Sequence, residues 1–237
     1  MTEIIKFDMN DIIPGREEVL RNQGVIPGAV LEDKIRDLLE QAIREFQSLA
    51  EPVGVMKEVS IGDFKDIYKG EGRNDEPTPV ADIFPKADCM ALFAVTLGQK
   101  ISDKIDQHFK ANNFAEGCML DAGASAGADQ AAEIMQRMYE QEIAERFDDF
   151  DAIGVVRYSP GYCGWHISAQ KKLFGFLGPE KIGITLRETY LMDPLKSVSG
   201  VIIAGPKEIH QFENNYPCCE NCDDQTCLER MQALKNA

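Results

Sequence analysis

Three short apolar segments rich in β-branched residues limit what this chain can fold into. They span residues 89–98, 152–158 and 197–205, and each has about the length of one strand. A short apolar run bounded by glycine or proline is typical of a strand buried inside a sheet. Such runs are too short to cross a bilayer as a helix. We therefore expect them to form the centre of a folded, water-exposed body.

Segments with helical periodicity separate these strands. Residues 29–50 place apolar side chains on one helical face, and residues 99–112 space their apolar side chains four apart. A longer helical pattern covers residues 114–147 and contains the small-residue stretch DAGASAGAD. Because strands and helices do not alternate regularly, the sequence predicts an α+β fold with a central, mostly antiparallel sheet flanked by helices.

The same rules assign the remaining segments. Residues 53–61 are predicted to form a strand, residues 63–68 an irregular segment, and residues 70–80 a polar loop. Further along, residues 165–177 are expected to be helical and residues 182–192 to form another strand.

The charge balance restricts the classes of partner. The chain has 40 acidic and 25 basic residues and a formal net charge of -15. This charge repels phosphate backbones, and no basic stripe overrides it, so nucleic acid is excluded as an expected partner. The N-terminus has no basic stretch followed by a long apolar run. We expect no membrane partner and a cytoplasmic location.

Four of the seven cysteines crowd together near the C-terminus. Composition changes near residue 206, which predicts a main domain over 1–205 and a cysteine-rich tail over 206–237. The tail thiols belong to Cys218, Cys219, Cys222 and Cys227. Cys219, Cys222 and Cys227 have two and four residues between them, a C-x2-C-x4-C spacing that suits zinc or an iron–sulfur cluster and leaves both metals open. We therefore predict a metal site in the tail.

One turn combines an arginine with an aromatic side chain. Arg157 stands at the end of a predicted strand, and Gly161 and Tyr162 follow after a Pro-Gly turn. A guanidinium fork suits a carboxylate, and a tyrosine stacks or donates a hydrogen bond. The alternative is an arginine that only stabilises its loop. Trp165 and His166 are expected to pack and to satisfy a local hydrogen bond.

Two carboxylates lie one helical turn apart next to the small-residue stretch. Asp129 and Glu133 have i, i+4 spacing, so they share one face of the predicted helix. Like charges at this spacing destabilise a helix slightly. The pair is therefore either an ordinary solvated face or a site prepared for a cationic ligand.

Four segments, taken in order, resemble the activation domain of cobalamin-dependent methionine synthase. The resemblance covers about residues 90–205, and its most specific part is R-x-x-x-G-Y from Arg157 to Tyr162. A second pattern, M-x-P-x-x-S-V-S-G, runs from Met192 to Gly200. The segments are VTLGQKISDKIDQ, LDAGASAGADQAAE, VVRYSPGYCGWH and LMDPLKSVSG.

The resemblance implies a function and site residues. The family domain binds S-adenosylmethionine and faces cobalamin, a corrinoid that a partner supplies, to remethylate its oxidised cobalt. Arg157 and Gly161 match the ligand-binding motif, and Tyr162 matches the aromatic residue at the corrinoid-facing turn, where we place a catalytic role. Asp129 and Glu133 match acidic residues near the methyl donor.

The sequence departs from a complete methionine synthase. It lacks the corrinoid-carrier signature D-x-H-x-x-G, and the cysteine tail is not part of the family domain. We therefore expect a free-standing accessory protein for a corrinoid-binding protein or methyltransferase subunit, with a flavodoxin- or ferredoxin-type electron donor. An iron–sulfur cluster in the tail would deliver the electron that reactivation needs, whereas zinc would only stabilise the fold of the tail. Two alternatives are a non-catalytic docking subunit and a metal- or redox-responsive protein.

Overall fold

A five-stranded antiparallel sheet forms the centre of the protein. The computed structural model describes residues 3–211, 216 and 218. The strand order is β1-β2-β3-β7-β4, and a separate two-stranded hairpin consists of β5 and β6. The strands are β1 (Glu3–Lys6), β2 (Val53–Glu58), β3 (Cys89–Thr96), β4 (Ile153–Tyr158), β5 (Thr185–Leu186), β6 (Met192–Asp193) and β7 (Ser197–Pro206).

Helices cover both faces of the sheet. One face packs against α7, and the other carries α4, α5 and α8. The helices are α1 (Met9–Ile12), α2 (Arg16–Asn22), α3 (Asp33–Leu49), α4 (Ile61–Lys69), α5 (Pro79–Ile83), α6 (Gln99–Lys110), α7 (Phe114–Ile143) and α8 (Gln170–Leu177). None of the described helices is long and apolar enough to cross a membrane.

The small-residue stretch of α7 is explained by packing. An added Cβ at Gly127 would overlap the ring of Phe46 on α3. At Gly54 on β2, an added Cβ would lie 2.9 Å from the sulfur of Met135 on α7. Glycine and alanine therefore let α7 approach α3 on one side and the sheet on the other, and the buried alanines of α7 fill the space between them.

The predicted α+β fold with an antiparallel central sheet is confirmed. Two local predictions were wrong. Residues 63–68 lie within helix α4, because the Ser60 hydroxyl caps the helix by accepting a hydrogen bond from the Asp63 amide at 3.1 Å. Residues 182–192 do not form one strand. A turn interrupts them, in which the Tyr190 amide donates to the Arg187 carbonyl at 2.9 Å and Tyr190 has a φ of 66°.

Candidate functional site

Strand β4 stops before β7 does and leaves part of β7 uncovered. Residues 197–204 of β7 pair with β3, whereas β4 covers only residues 201–206. Within the described part of the chain, no strand pairs with the outer edge of residues 197–200. This gap beside the end of β4, which we call the notch, leaves an edge of β7 without a strand partner among the described residues. A small ligand with polar groups could bind there without displacing a strand.

The predicted Arg157–Tyr162 turn borders the notch. Gly161 has a φ of 96°, and Cys163 and Gly164 have φ values of 52° and 72°. Such left-handed backbone favours glycine, which explains two of the three residue types. The turn is closed by the Gly161 amide donating to the Trp165 carbonyl at 2.7 Å, and it leaves Tyr162 exposed.

A neighbouring loop holds this turn in place. The Asp75 amide donates to the Gly164 carbonyl at 2.9 Å, and the His166 amide donates to Asn74 Oδ1 at 2.9 Å. Trp165 is buried, packs edge-on against an aromatic ring, and donates its indole N–H to the Tyr68 carbonyl at 3.1 Å. The expectations for Trp165 and His166 are thus confirmed, because both serve local structure.

Arg157 is half-buried at the penultimate position of β4. Side chains alternate along a strand, so Arg157 lies on the same face as Val155, which packs in the cluster of α7. Its amide donates to Oε1 of Gln136, on α7, at 3.2 Å. Arg157 therefore lies on the α7 face of the sheet, one residue before the end of β4.

Asp129 and Glu133 are exposed on α7. They recur at helical spacing between Ser125, which contacts the segment before β7, and Gln136, which contacts β4. The two carboxylates therefore lie on α7 between its contact with the segment before β7 and its contact with β4.

A third carboxylate strengthens the negative field at this part of α7. The pKa of Glu18, on α2, is raised, first by burial and then by the charges of Asp129 and Glu133. Three carboxylates that repel one another would be stabilised by a bound cation. Arg21 is a cation beside these carboxylates, and its charge lowers the pKa of Glu18 in part.

Lys196 anchors the other end of the notch. Its side chain is buried, and Nζ donates to Asp121 Oδ1 at 2.8 Å and to Ser125 Oγ at 2.9 Å. The lysine occupies one of the variable positions of the M-x-P-x-x-S-V-S-G pattern, so no sequence signal points to it. The ion pair fixes the start of β7 against α7.

A buried histidine forms hydrogen bonds to two residues of β4. His210 Nε2 lies 3.1 Å from the Gly154 carbonyl, and Nδ1 lies 3.0 Å from the Tyr158 hydroxyl. A carbonyl only accepts, so Nε2 carries the proton and Nδ1 accepts from the tyrosine. Burial lowers the pKa of His210 to about 4. The neutral ring therefore braces the strand that carries Arg157.

The predicted metal site falls largely outside the described residues. Cys219, Cys222 and Cys227 lie beyond them, and Cys218 is half-buried. Over residues 3–211, 216 and 218, no group of three or more His, Cys, Asp or Glu side chains could hold a metal ion. The metal site stays a prediction.

A cavity of about 300 Å³ opens elsewhere, between the end of β2 and the start of β3. None of the predicted site residues lines it. Its lining consists of Glu58, Val59, Ser60, Ile61, Asp88, Cys89, Met90 and Arg146. The notch, rather than this cavity, is therefore the candidate functional site.

Fold and notch together define an α+β domain with an uncovered strand edge beside the end of β4. A family model described as vitamin B12 dependent methionine synthase, activation domain, matches residues 79–225, and the chain belongs to that family. The match extends past residue 205 into the cysteine-rich segment.

Comparison with solved structures supports the same fold. A crystal structure of the MetH reactivation domain bound to AdoHcy matches with a TM-score of 0.62 at 18% identity. The match covers 91% of this chain and 83% of that one. A search of the curated proteins found no match.

Proposed function

We propose that this protein binds S-adenosylmethionine and acts as an accessory protein in the reductive reactivation and remethylation of a corrinoid protein of the methionine synthase type. The observation that carries the proposal is that Arg157, at the end of β4, contacts α7 through Gln136, one and two helical turns from the carboxylates of Glu133 and Asp129. Membership of the activation-domain family and the AdoHcy bound to the similar MetH domain support the same ligand.

The residues at the notch fit the charges of this ligand. The Arg157 guanidinium would bind the ligand carboxylate through a charge-assisted fork. Glu133 and Asp129 precede Gln136, the α7 contact of Arg157, by three and seven residues, or about 4.5 and about 10 Å along the helix. A ligand held by its carboxylate at Arg157 would thus keep its sulfonium on the acidic side of the site. The uncovered edge of β7 offers backbone groups to its polar atoms.

The contribution of the chain is binding and orientation. When bound, S-adenosylmethionine would supply an electrophilic methyl group to the one-electron-reduced cobalt of the partner's corrinoid and would leave as S-adenosylhomocysteine. A flavodoxin- or ferredoxin-type donor would supply the electron. Arg157 and the carboxylates would hold the ligand without taking up or releasing a proton. Gly161 allows the turn to close, and Tyr162 would face the corrinoid.

Exposed apolar side chains border the notch and favour docking of a partner. They belong to the turn, to the β5–β6 hairpin and to the segment before β7: Tyr162 (55% exposed), Leu191 (45%) and Leu195 (53%). The same observation supports the second candidate function, a docking subunit that has lost the ligand site. Ligand binding separates the two candidates, since only the first requires it.

The test is calorimetric titration of the anaerobically purified protein with S-adenosylmethionine. Arg157→Ala should weaken binding by roughly 10- to 100-fold, because a charge-assisted hydrogen-bonded pair is lost. Arg36→Ala is the matched control, since Arg36 is an exposed arginine of α3 that bonds to the Leu31 carbonyl and Asp33. Equal affinities of wild type and Arg157→Ala would refute the assignment of Arg157. No binding by wild type would favour the docking subunit.

The cysteine-rich tail requires its own measurement. The proposal assigns Cys218, Cys219, Cys222 and Cys227 to an iron–sulfur cluster or zinc. Elemental analysis and the visible absorption spectrum of anaerobically purified protein distinguish the two metals. Protein that contains neither metal would refute this part of the proposal.

A further inference from the structure

The outer edge of β4 is covered by one side chain of α7. Gln136 Nε2 donates to the Val155 carbonyl at 2.9 Å, and Gln136 Oε1 accepts from the Arg157 amide at 3.2 Å. A strand inside a sheet would offer these two backbone groups to the next strand. The carboxamide has one donor and one acceptor side, like a peptide group, so it replaces a missing strand at this point.

The orientation of this carboxamide is determined by its partners. The Val155 carbonyl only accepts a hydrogen bond, and the Arg157 amide only donates one. Gln136 Nε2 also donates to Glu140 Oε1 at 3.0 Å, which uses its second hydrogen. All three hydrogen bonds therefore agree on one placement of nitrogen and oxygen, and a rotated amide would lose them.

Gln136 restrains Arg157 at the end of an edge strand, where the backbone would otherwise move easily. Arg157 is the penultimate residue of an edge strand, and the chain leaves the sheet after Tyr158. Strand ends with few backbone partners open more easily than strand centres. The bond from Gln136 reaches the backbone nitrogen of the residue whose guanidinium borders the notch, so it limits the positions from which that guanidinium can act.

We infer that Gln136 is a positioning residue for ligand binding, which holds the backbone of Arg157 so that its guanidinium meets the ligand carboxylate. The inference rests on the proposed function. It assigns no contact between Gln136 and the ligand. The effect of Gln136 must therefore pass through Arg157, and a double-mutant cycle measures this dependence directly.

The experiment compares dissociation constants of S-adenosylmethionine for wild type, Gln136→Met, Arg157→Ala and the double variant. Gln136→Met keeps the length and apolar stem of the side chain but removes both amide groups. It should raise the dissociation constant about five- to tenfold in the wild-type background, the effect of about one net hydrogen bond. In the Arg157→Ala background the same change should raise it less than twofold.

Two further variants separate positioning from general stability. Gln130→Met is the matched control, because Gln130 lies on the same helix and its Nε2 donates to the Asp11 carbonyl at 3.4 Å, away from β4. It should bind like wild type. Gln136→Asn keeps both amide groups on a side chain one methylene shorter, so it should lose less affinity than Gln136→Met. It also serves as the test variant if Gln136→Met does not fold.

Three outcomes would overturn the inference. Wild-type affinity in both Gln136 variants would show that the brace is not needed. Equal weakening in the Arg157 and Arg157→Ala backgrounds would show that the effect does not pass through Arg157. Absence of binding by wild type would overturn the proposed function and this inference with it, whereas the first two outcomes leave the proposed function intact.

Discussion

One added methyl group at Gly200 should disturb the notch more than any conservative change on the surface. A Cβ at this position would overlap the carbonyl oxygen of Tyr158 and lie 3.1 Å from both Phe93 Cε1 and Ser159 Oγ. A backbone carbonyl cannot rotate away, so the end of β4 must move and the pair between Tyr158 and Val201 is lost. Overpacking of about 1–3 kcal/mol and about 1 kcal/mol for the lost pairing predict a destabilisation of roughly 2–4 kcal/mol.

Urea unfolding of Gly200→Ala measures this loss, and the melting temperature should fall by roughly 4–16 °C for a chain of this length. Gly175→Ala is the control. Gly175 lies inside helix α8 with nothing within 4 Å of an added Cβ, so alanine there should stabilise by up to about 1 kcal/mol. If Gly200→Ala unfolds within about 0.5 kcal/mol of wild type, β4 does not press against β7 as described, and the reasoning about the notch is refuted.

Two other predictions concern the supports of the notch. The folded-state pKa of His210, about 4, lies below its usual value of 6.5, so the unfolded chain binds the proton first as the pH falls. Stability should therefore decrease by roughly 3 kcal/mol between pH 7 and pH 4, and His210→Gln should lose this component in urea unfolding at several pH values. An identical pH profile in both proteins would contradict the burial of a neutral ring. In the same assay, Lys196→Met should lower the free energy of unfolding by about 1–2 kcal/mol, because the hydrogen bonds of its buried Nζ are lost. The control Lys100→Met breaks an exposed ion pair and should lower it by less than about 0.5 kcal/mol. Equal costs would show that burial of Lys196 does not matter.

The central architecture was accessible from sequence because hydrophobic periodicity reports burial. Strands β3, β4 and β7 and helices α3, α6 and α7 all coincide with segments predicted from apolar spacing. The segment that became α4 was missed because its helix depends on a serine cap three residues before Asp63, a weak signal beside the β-branched residues that precede it. The hairpin of β5 and β6 was read as one strand because its turn carries Tyr190 rather than glycine at positive φ.

Site residues could be predicted from the sequence only where the residue type and its motif indicate the chemistry. Arg157 and the turn after it carried recognisable patterns, and the structure places them at the notch. Gln136 and Lys196 carried none, because their roles depend on which backbone or side chain the fold brings near them. Tertiary proximity of this kind is not encoded in local spacing.

The hydrogen bonds of His210 decide where the chain can be shortened. A fragment ending at residue 205, where the composition changes, would lack the ring that accepts from Tyr158 and donates to Gly154. The Tyr158 hydroxyl would then be buried without that partner, at a cost of about 1–3 kcal/mol, directly beside the arginine whose ligand is sought. Recombinant fragments meant to isolate the activation domain should therefore extend at least through residue 211.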